Sequence, residues 1–447
     1  MPDTLIVALK RCYQSLPYAV IAPDISEKTT YRMRVRVLPL DSTHPNPWAK
    51  RECSSAFLLA SAAFLVFSGT YSYLWGGNSF AAGLIMIFLA IVLSIAAIAR
   101  APGENSLVAS IPSSSRRMWL ILASLILVHG SMAFLITKNF VPVIDTYTFQ
   151  RDASKNLVQG IDPFGTTEVD IFGPDSRYYS PGMVVNGRVQ VGFQYPPLTL
   201  FWALPGYWLG DVRYAYIFAI AISACFLFAM YPNTRSLWIS ALLLLNPLTF
   251  LVETRSWTEP LVLLALCATL YAAVKKRWWL PIALGLFLAS KQYNLVALPF
   301  VACLIRPFRW KEYWKLVGWA LLVAAATLLP FAIWNARALW HDLVLFHLAQ
   351  PFRQDSLSFA VPYPLLLKIG PAILATFIAW SVKKCMGNPA MFAAGYGASI
   401  LLFFSTSKQA FSNYYFLIGQ AFLLAVAALP ALSLWPTSRT NSQTKSE

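Results

Sequence analysis

Apolar residues run in long blocks from about residue 54 to residue 434, and polar residues collect in the gaps between them. Blocks of this length, rich in Leu, Ala, Phe and Ile, predict helices crossing a hydrocarbon core about 30 Å thick. A barrel would instead show strands of about ten residues with alternating polarity. The blocks fall at 54–75, 80–99, 118–137, 213–231, 237–251, 258–274, 278–290, 292–305, 315–334, 361–381, 389–404 and 414–434. The pattern predicts an all-α, polytopic membrane protein with about 12 transmembrane helices. Two of the blocks, 278–290 and 292–305, are short and meet at Ser290-Lys291-Gln292, which requires tilt or a partly embedded turn. The apolar stretch from Tyr195 to Leu209 contains Pro196, Pro197 and Pro205, so an interfacial or re-entrant helix competes there with a span.

Charge decides between these two readings. If 195–209 does not cross and the N-terminus is cytoplasmic, the inside receives 23 basic and 8 acidic residues and the outside 12 and 11. That is +15 against +1, the asymmetry expected of a correctly oriented inner-membrane protein. Letting the stretch cross would expel Lys275-Lys276-Arg277 and Lys383-Lys384. Composition agrees with a bilayer as solvent: of 447 residues, 57% are hydrophobic and 12% charged. The net charge of +16 sits between apolar blocks rather than on a basic face, which argues against nucleic acid as a partner.

The predicted organisation is a cytoplasmic N-terminal segment (1–53), two additional transmembrane helices (54–99), a transmembrane catalytic domain (118–434) with a large exoplasmic loop (138–212), and a cytoplasmic tail (435–447). The stretch Arg32–Leu40 alternates and reads as a short strand or interfacial segment. Asp3, Lys10, Arg11 and Pro17 interrupt any signal-peptide core, so insertion is expected to begin with the first span. The six cysteines form no CxxC, which supports neither a disulfide framework nor a zinc cluster. The loop 138–212 is longer than an ordinary connection, and chemistry is expected on that side.

Asp145 follows the third block closely, where an acid just outside hydrocarbon can deprotonate a hydroxyl. Asp152, seven residues on, is expected near the same helix face, interleaved with Arg151 and Lys155; a solvated juxtamembrane helix with salt bridges is the competing reading. Gly160-Ile-Asp-Pro-Phe164 reads as a helix stop and turn. Glu253, Arg255 and Glu259 bracket Trp257 between two spans, and Lys291 and Lys408 lie at other exoplasmic mouths. Each cation can simply snorkel to headgroups, but several facing one cavity would make an anion site. His44, His129, His341 and His347 show no metal spacing and are expected in structural or surface roles. The P-loop, HExxH, dinucleotide and GxSxG patterns are all missing, so cytosolic nucleotide chemistry has no visible seat.

The order of these features resembles integral-membrane glycosyltransferases of the GT-C superfamily, and most the bacterial polyprenyl-phosphate-mannose-dependent alpha-mannosyltransferases of family GT87. The resemblance rests on Asp145 after a span, Gly160-Ile-Asp-Pro-Phe164, Phe193-Gln-Tyr-Pro-Pro-Leu198, and Gly210 with Arg213. It continues through Asn246-Pro247, Ser290-Lys-Gln292 with Pro299, and Ser407-Lys408 with Tyr414-Tyr415. It implies a GT-C-like fold with Asp145 as general base on a large external loop. It also implies inverting transfer of a hexose, mannose at the family level, from a polyprenyl-phosphate donor to a lipid- or glycan-linked hydroxyl. Asp152, Tyr195 and Glu259 are the expected acceptor-binding or supporting residues, and Lys291, Lys408, Arg255 and Arg151 the expected partners of the donor phosphate. Neither a cofactor nor a metal is expected, and the active site would face outward from the inner membrane. The two additional spans and residues 1–53 depart from the family pattern. A secondary transporter or flippase is the alternative in another class, and a noncatalytic scaffold is a third.

Overall fold

The computed structural model describes residues 47–74, 79–100, 116–173 and 178–429. The strand or interfacial segment expected at Arg32–Leu40 and the tail from 435 onward lie outside these. The described part is mostly helical: α1 (Pro47–Leu74), α2 (Ser79–Ala99), α3 (Arg116–Asn139), α4 (Asp145–Val158), α5 (Pro197–Trp208), α6 (Arg213–Met230), α7 (Thr234–Leu245) and α8 (Pro247–Thr254) come first. They are followed by α9 (Glu259–Val274), α10 (Leu280–Ser290), a 3-10 helix (Gln292–Leu304), α11 (Trp310–Trp340), a π-helical turn (His341–Leu345), α12 (Phe346–Ala349), α13 (Leu366–Cys385), α14 (Pro389–Ser405) and α15 (Ser412–Ala428).

Every apolar block of the sequence coincides with one of these helices, but length divides them. Six are long and apolar enough to cross a membrane, or seven if a bent pair counts as one span. The protein is a multi-pass membrane protein. The bent pair is α7 and α8, which meet at 47° where the sequence predicts a single span over 237–251. Pro247 has no N–H to donate and breaks the helix. The freed groups find other partners: Thr249 Oγ1 donates to the Leu243 carbonyl at 2.6 Å, and Nδ1 of His129 lies 2.7 Å from that of Leu244. The Leu248 N–H donates both to Asn246 Oδ1 and to the hydroxyl of Tyr71 on α1. Irregular backbone at membrane depth is tolerated only when satisfied in this way.

The additional helices α1 and α2 belong to the same packed unit as the rest, with Tyr71 sealing the α7–α8 break and α2 packing on α13 and α14. The centre is built by α14 and α15, which are buried nearly all round, packed on each other and on α9. By contrast, α11 and α13 leave most of their apolar surface exposed, as lipid-facing helices do. Gly285 lets α10 approach α11 closely, since a Cβ there would come within 2.5 Å of the Ala320 carbonyl. The span predicted over 315–334 ends at a real discontinuity: Asn335 leaves the helical region, and its side chain caps a second helical piece through Ala338 N.

Loop 138–212 carries α4, α5 and a three-stranded antiparallel sheet of Glu168–Val169 (β1), Val184–Val185 (β2) and Arg188–Val189 (β3), in the order β1-β3-β2. The sequence reading assigns no strand there. Asn186-Gly187, both at positive φ, make the β2–β3 hairpin turn. Gly160 stands at φ 72° just past α4, as the stop signal predicts, and Asp162 accepts from Phe164 N at 3.0 Å. The 195–209 stretch forms α5, only 12 residues long.

Candidate active site

The chain leaves α3, runs extended through Val143 and Ile144, and enters α4 at Asp145. The buried guanidinium of Arg213, at the start of α6, fixes this entry. It donates to the Thr137 and Phe140 carbonyls at 2.9 and 2.6 Å, pairs with Asp211 at 2.6 Å, and lies 5.1 Å from the Tyr147 ring centroid. A cation over the last carbonyls of α3 suits the helix dipole. On the other flank, Thr146 Oγ1 donates to the Arg255 carbonyl at 2.8 Å and Gln150 Nε2 to that of Ser256 at 2.6 Å. The first turn of α4 is therefore held from both sides.

Asp145 opens into a cavity of about 680 Å³ whose walls also include Tyr179, Tyr195, Arg255, Lys291, His347 and Arg353. Among the described residues lining it, Asp145 is the sole acid, in company with Arg255, Lys291 and Arg353. Burial raises the Asp145 carboxyl above its ordinary range, while the Thr146 N–H, the Arg353 charge and a hydrogen bond donated by Tyr179 pull it back. The position at the helix N-terminus also favours the ionised form. Burial and the Asp145 charge together push the Tyr179 hydroxyl up, which keeps it a donor.

The cations are held differently from one another. Lys291, nearly buried, follows the end of α10 in an extended conformation; its ammonium contacts Thr258 Oγ1, lies 3.2 Å from Glu259 Oε1, and sits 4.5 Å from the Tyr195 ring centroid. Arg353 pairs with Asp355 at 2.5 Å and is flanked by the rings of Tyr178 at 4.3 Å and Phe411 at 4.9 Å. Arg255 lies 5.9 Å from the Phe140 ring centroid and has no carboxylate partner among the described residues. Tyr195 is itself placed by a clamp on the preceding backbone. Asp342 Oδ2 accepts from Gly192 N and Phe193 N at 3.0 and 3.1 Å. The Gln194 carbonyl accepts from His347 Nε2 at 2.8 Å and from Gln292 Nε2 at 3.2 Å.

Of the residues expected from sequence, the structure brings Asp145, Tyr195, Lys291 and Arg255 to one cavity. Four others stand elsewhere. Glu259 lies behind Lys291 and also accepts from the Tyr293 hydroxyl at 3.3 Å, which makes it a counter-ion rather than part of the wall. Asp152 is two turns along α4, about 10 Å from Asp145 along the axis, and pairs with its neighbour Arg151 on the outer face at 2.7 Å. Lys408 donates to the Leu348 and Gln350 carbonyls at the end of α12, at 3.0 and 2.7 Å. Arg353 and Tyr179 line the cavity without having been singled out, together with His347, named only as a structural or surface histidine, and Gln292, named only within the Ser290-Lys-Gln292 motif. His347, expected in a structural or surface role, donates to the Gln194 carbonyl at the cavity wall, and His341 pairs with Asp342 at 2.8 Å. Among the described residues no three His, Cys, Asp or Glu side chains converge.

No family model matches the chain, and no curated protein matches it. It is similar to the crystal structure of ArnT from Cupriavidus metallidurans bound to undecaprenyl phosphate, at 16% identity and a TM-score of 0.45. The likeness covers 70% of this chain and 60% of that one.

Proposed function

We propose that this protein transfers a hexose from a polyprenyl-phosphate donor to an acceptor hydroxyl at the outer face of the membrane, with inversion at the anomeric carbon. The observation that carries the reading is the carboxylate of Asp145, the sole acid among the described residues lining a cavity of a membrane protein that also carries Arg255, Lys291 and Arg353. Asp145 takes the proton as the acceptor oxygen attacks the anomeric carbon; the bond from that carbon to the phosphate oxygen breaks, and the phosphate leaves with the electron pair. Lys291, Arg255 and Arg353 stabilise the charge that develops on it. A leaving phosphate needs no proton, so one carboxylate suffices where glycosidases use two. Mannose is the finer assignment that the family resemblance implies, and the acceptor is a lipid- or glycan-linked hydroxyl. The GT87 assignment belongs to this proposal, as does the bacterial inner membrane with both termini in the cytoplasm.

Transfer of labelled hexose from purified polyprenyl-phosphate sugars is the test. Asp145→Asn should lower turnover by about 10²–10⁴-fold while donor binding persists. Equal turnover in the variant would remove catalysis from Asp145. The broken α7–α8 span favours a second reading, a transporter, because discontinuous helices build transport sites. Solute flux in proteoliposomes without sugar transfer from any donor would select it.

A further inference from the structure

Three elements that end at the candidate active-site cavity begin or finish together at their far ends. α10 runs from Leu280 to Ser290, just before Lys291; the 3-10 helix runs from Gln292 back to Leu304; and α11 starts at Trp310 and leads through the π-helical turn to His347. Even the shortest, α10, separates its ends by about 16 Å. At the far ends lies a second cavity of about 510 Å³. Its rim carries Arg277, Arg306, Arg309 and Lys315 against a single acid, Glu312. Its apolar floor includes the buried Leu304 and Leu316 beside Trp319. Arg277, Arg309 and Lys315 are exposed, and none is in an ion pair among the described residues.

A second observation places this rim at headgroup level. Trp278, Trp310 and Trp314 are exposed beside it by 83%, 66% and 63%, and Trp310 and Trp314 both pack edge-on against Tyr313. Exposed indoles in a cluster mark the membrane–water interface, where an apolar ring and a polar N–H are both accommodated. Cations alone would suit any soluble anion. Cations above an apolar floor, inside a belt of indoles, suit an amphiphile whose phosphate meets the guanidinium groups and whose acyl chains continue along exposed α11. This face is cytoplasmic in the orientation proposed above, on which the choice of leaflet rests.

We propose that this cavity binds the headgroup phosphate of an anionic phospholipid of the cytoplasmic leaflet, at a site separate from the catalytic cavity. Basic pockets between transmembrane helices on that side recognise such headgroups, and each Lys or Arg contributes about a fivefold preference. The test uses the full chain, purified from an equal mixture of phosphatidylglycerol and phosphatidylcholine, with retained lipid read by native mass spectrometry. Wild type should retain phosphatidylglycerol preferentially, and Arg309→Gln with Lys315→Gln should lower that preference by about 30-fold. Lys383→Gln with Lys384→Gln removes the same charge at the same membrane face and should leave it intact. Glu312→Gln should raise retention by about fivefold, an effect that damage to the fold would not produce. Equal losses in the two double variants would overturn the proposal, as would no preference in wild type. Displacement of the lipid by excess inorganic phosphate would also overturn it, in favour of a soluble anion.

Discussion

The carboxyl of Asp145 joins the site's chemistry to the stability of the fold. Its folded pKa is raised, so its contribution to stability is fully present below the ordinary aspartate value and is lost as pH rises through the raised one. At neutral pH the ionised carboxylate is therefore a cost. Asp145→Asn should accordingly unfold at the same or a higher temperature than wild type while losing turnover, which thermal melting and the transfer assay would measure on one preparation. Under the proposed function the base must be ionised, so turnover should decline as pH falls through that raised pKa, with an acid limb above the ordinary aspartate range. An acid limb near pH 4 would mean that burial does not raise this carboxyl, and an acid limb that persists unchanged in Asp145→Asn would exclude it as the base. At this scale Asp145 and Lys291 were legible, because each is an ionisable residue at the edge of an apolar block. Arg353 was not, because in sequence it belongs to a polar connection and only the return of the chain after α12 brings it to the wall that Asp145 shares.

Elements explain which features of the external loop were readable. The β2–β3 hairpin is written in Val184-Val185-Asn186-Gly187-Arg188-Val189, a turn dipeptide between β-branched residues, so the signal was present although the strands are only two residues long. The α4 stop at Gly160 was legible from local chemistry. The clamp of Asp342 on Gly192 and Phe193 was not, since its partners are 150 and 149 residues apart. The sheet also carries a titration. Burial first, and then the neighbouring Asp152, push the Glu168 carboxyl up to about 8, against the pull of Arg188 and Arg151. Its stabilising contribution is whole below the ordinary value of 4.5 and disappears as pH rises through about 8. Hydrogen exchange across 168–189 should therefore accelerate between neutral and alkaline pH beyond the intrinsic chemical rate, and Glu168→Gln should remove that excess. In the membrane, Nε2 of His129 and Oε1 of Glu253 lie 2.9 Å apart and tie α3 to the broken span. His129→Ala should destabilise by roughly 1–3 kcal/mol. A double-mutant cycle with Glu253→Ala should show coupling, and strict additivity would mean that the pair is not an interaction.

At the scale of the molecule, hydropathy located the long apolar helices, but neither the polar α4 nor which blocks were full crossings. The reason is physical. α9, α10 and α14 have 16, 11 and 17 residues, about 24, 16 and 26 Å, short of the 30 Å that hydrocarbon requires. Residues at or next to one end of each, Trp257, Lys291 and Phe403, line the candidate cavity. α1 supplies Tyr73 and Leu74 to the wall, which makes this helix part of the site's architecture. Under the proposed function, an enzyme whose cavity is framed by membrane helices would meet a lipid-borne donor by lateral diffusion, in two dimensions. Its velocity should follow the donor's mole fraction in the bilayer, so that diluting vesicles with inert lipid slows turnover while diluting the same vesicles with buffer leaves the turnover rate per enzyme unchanged.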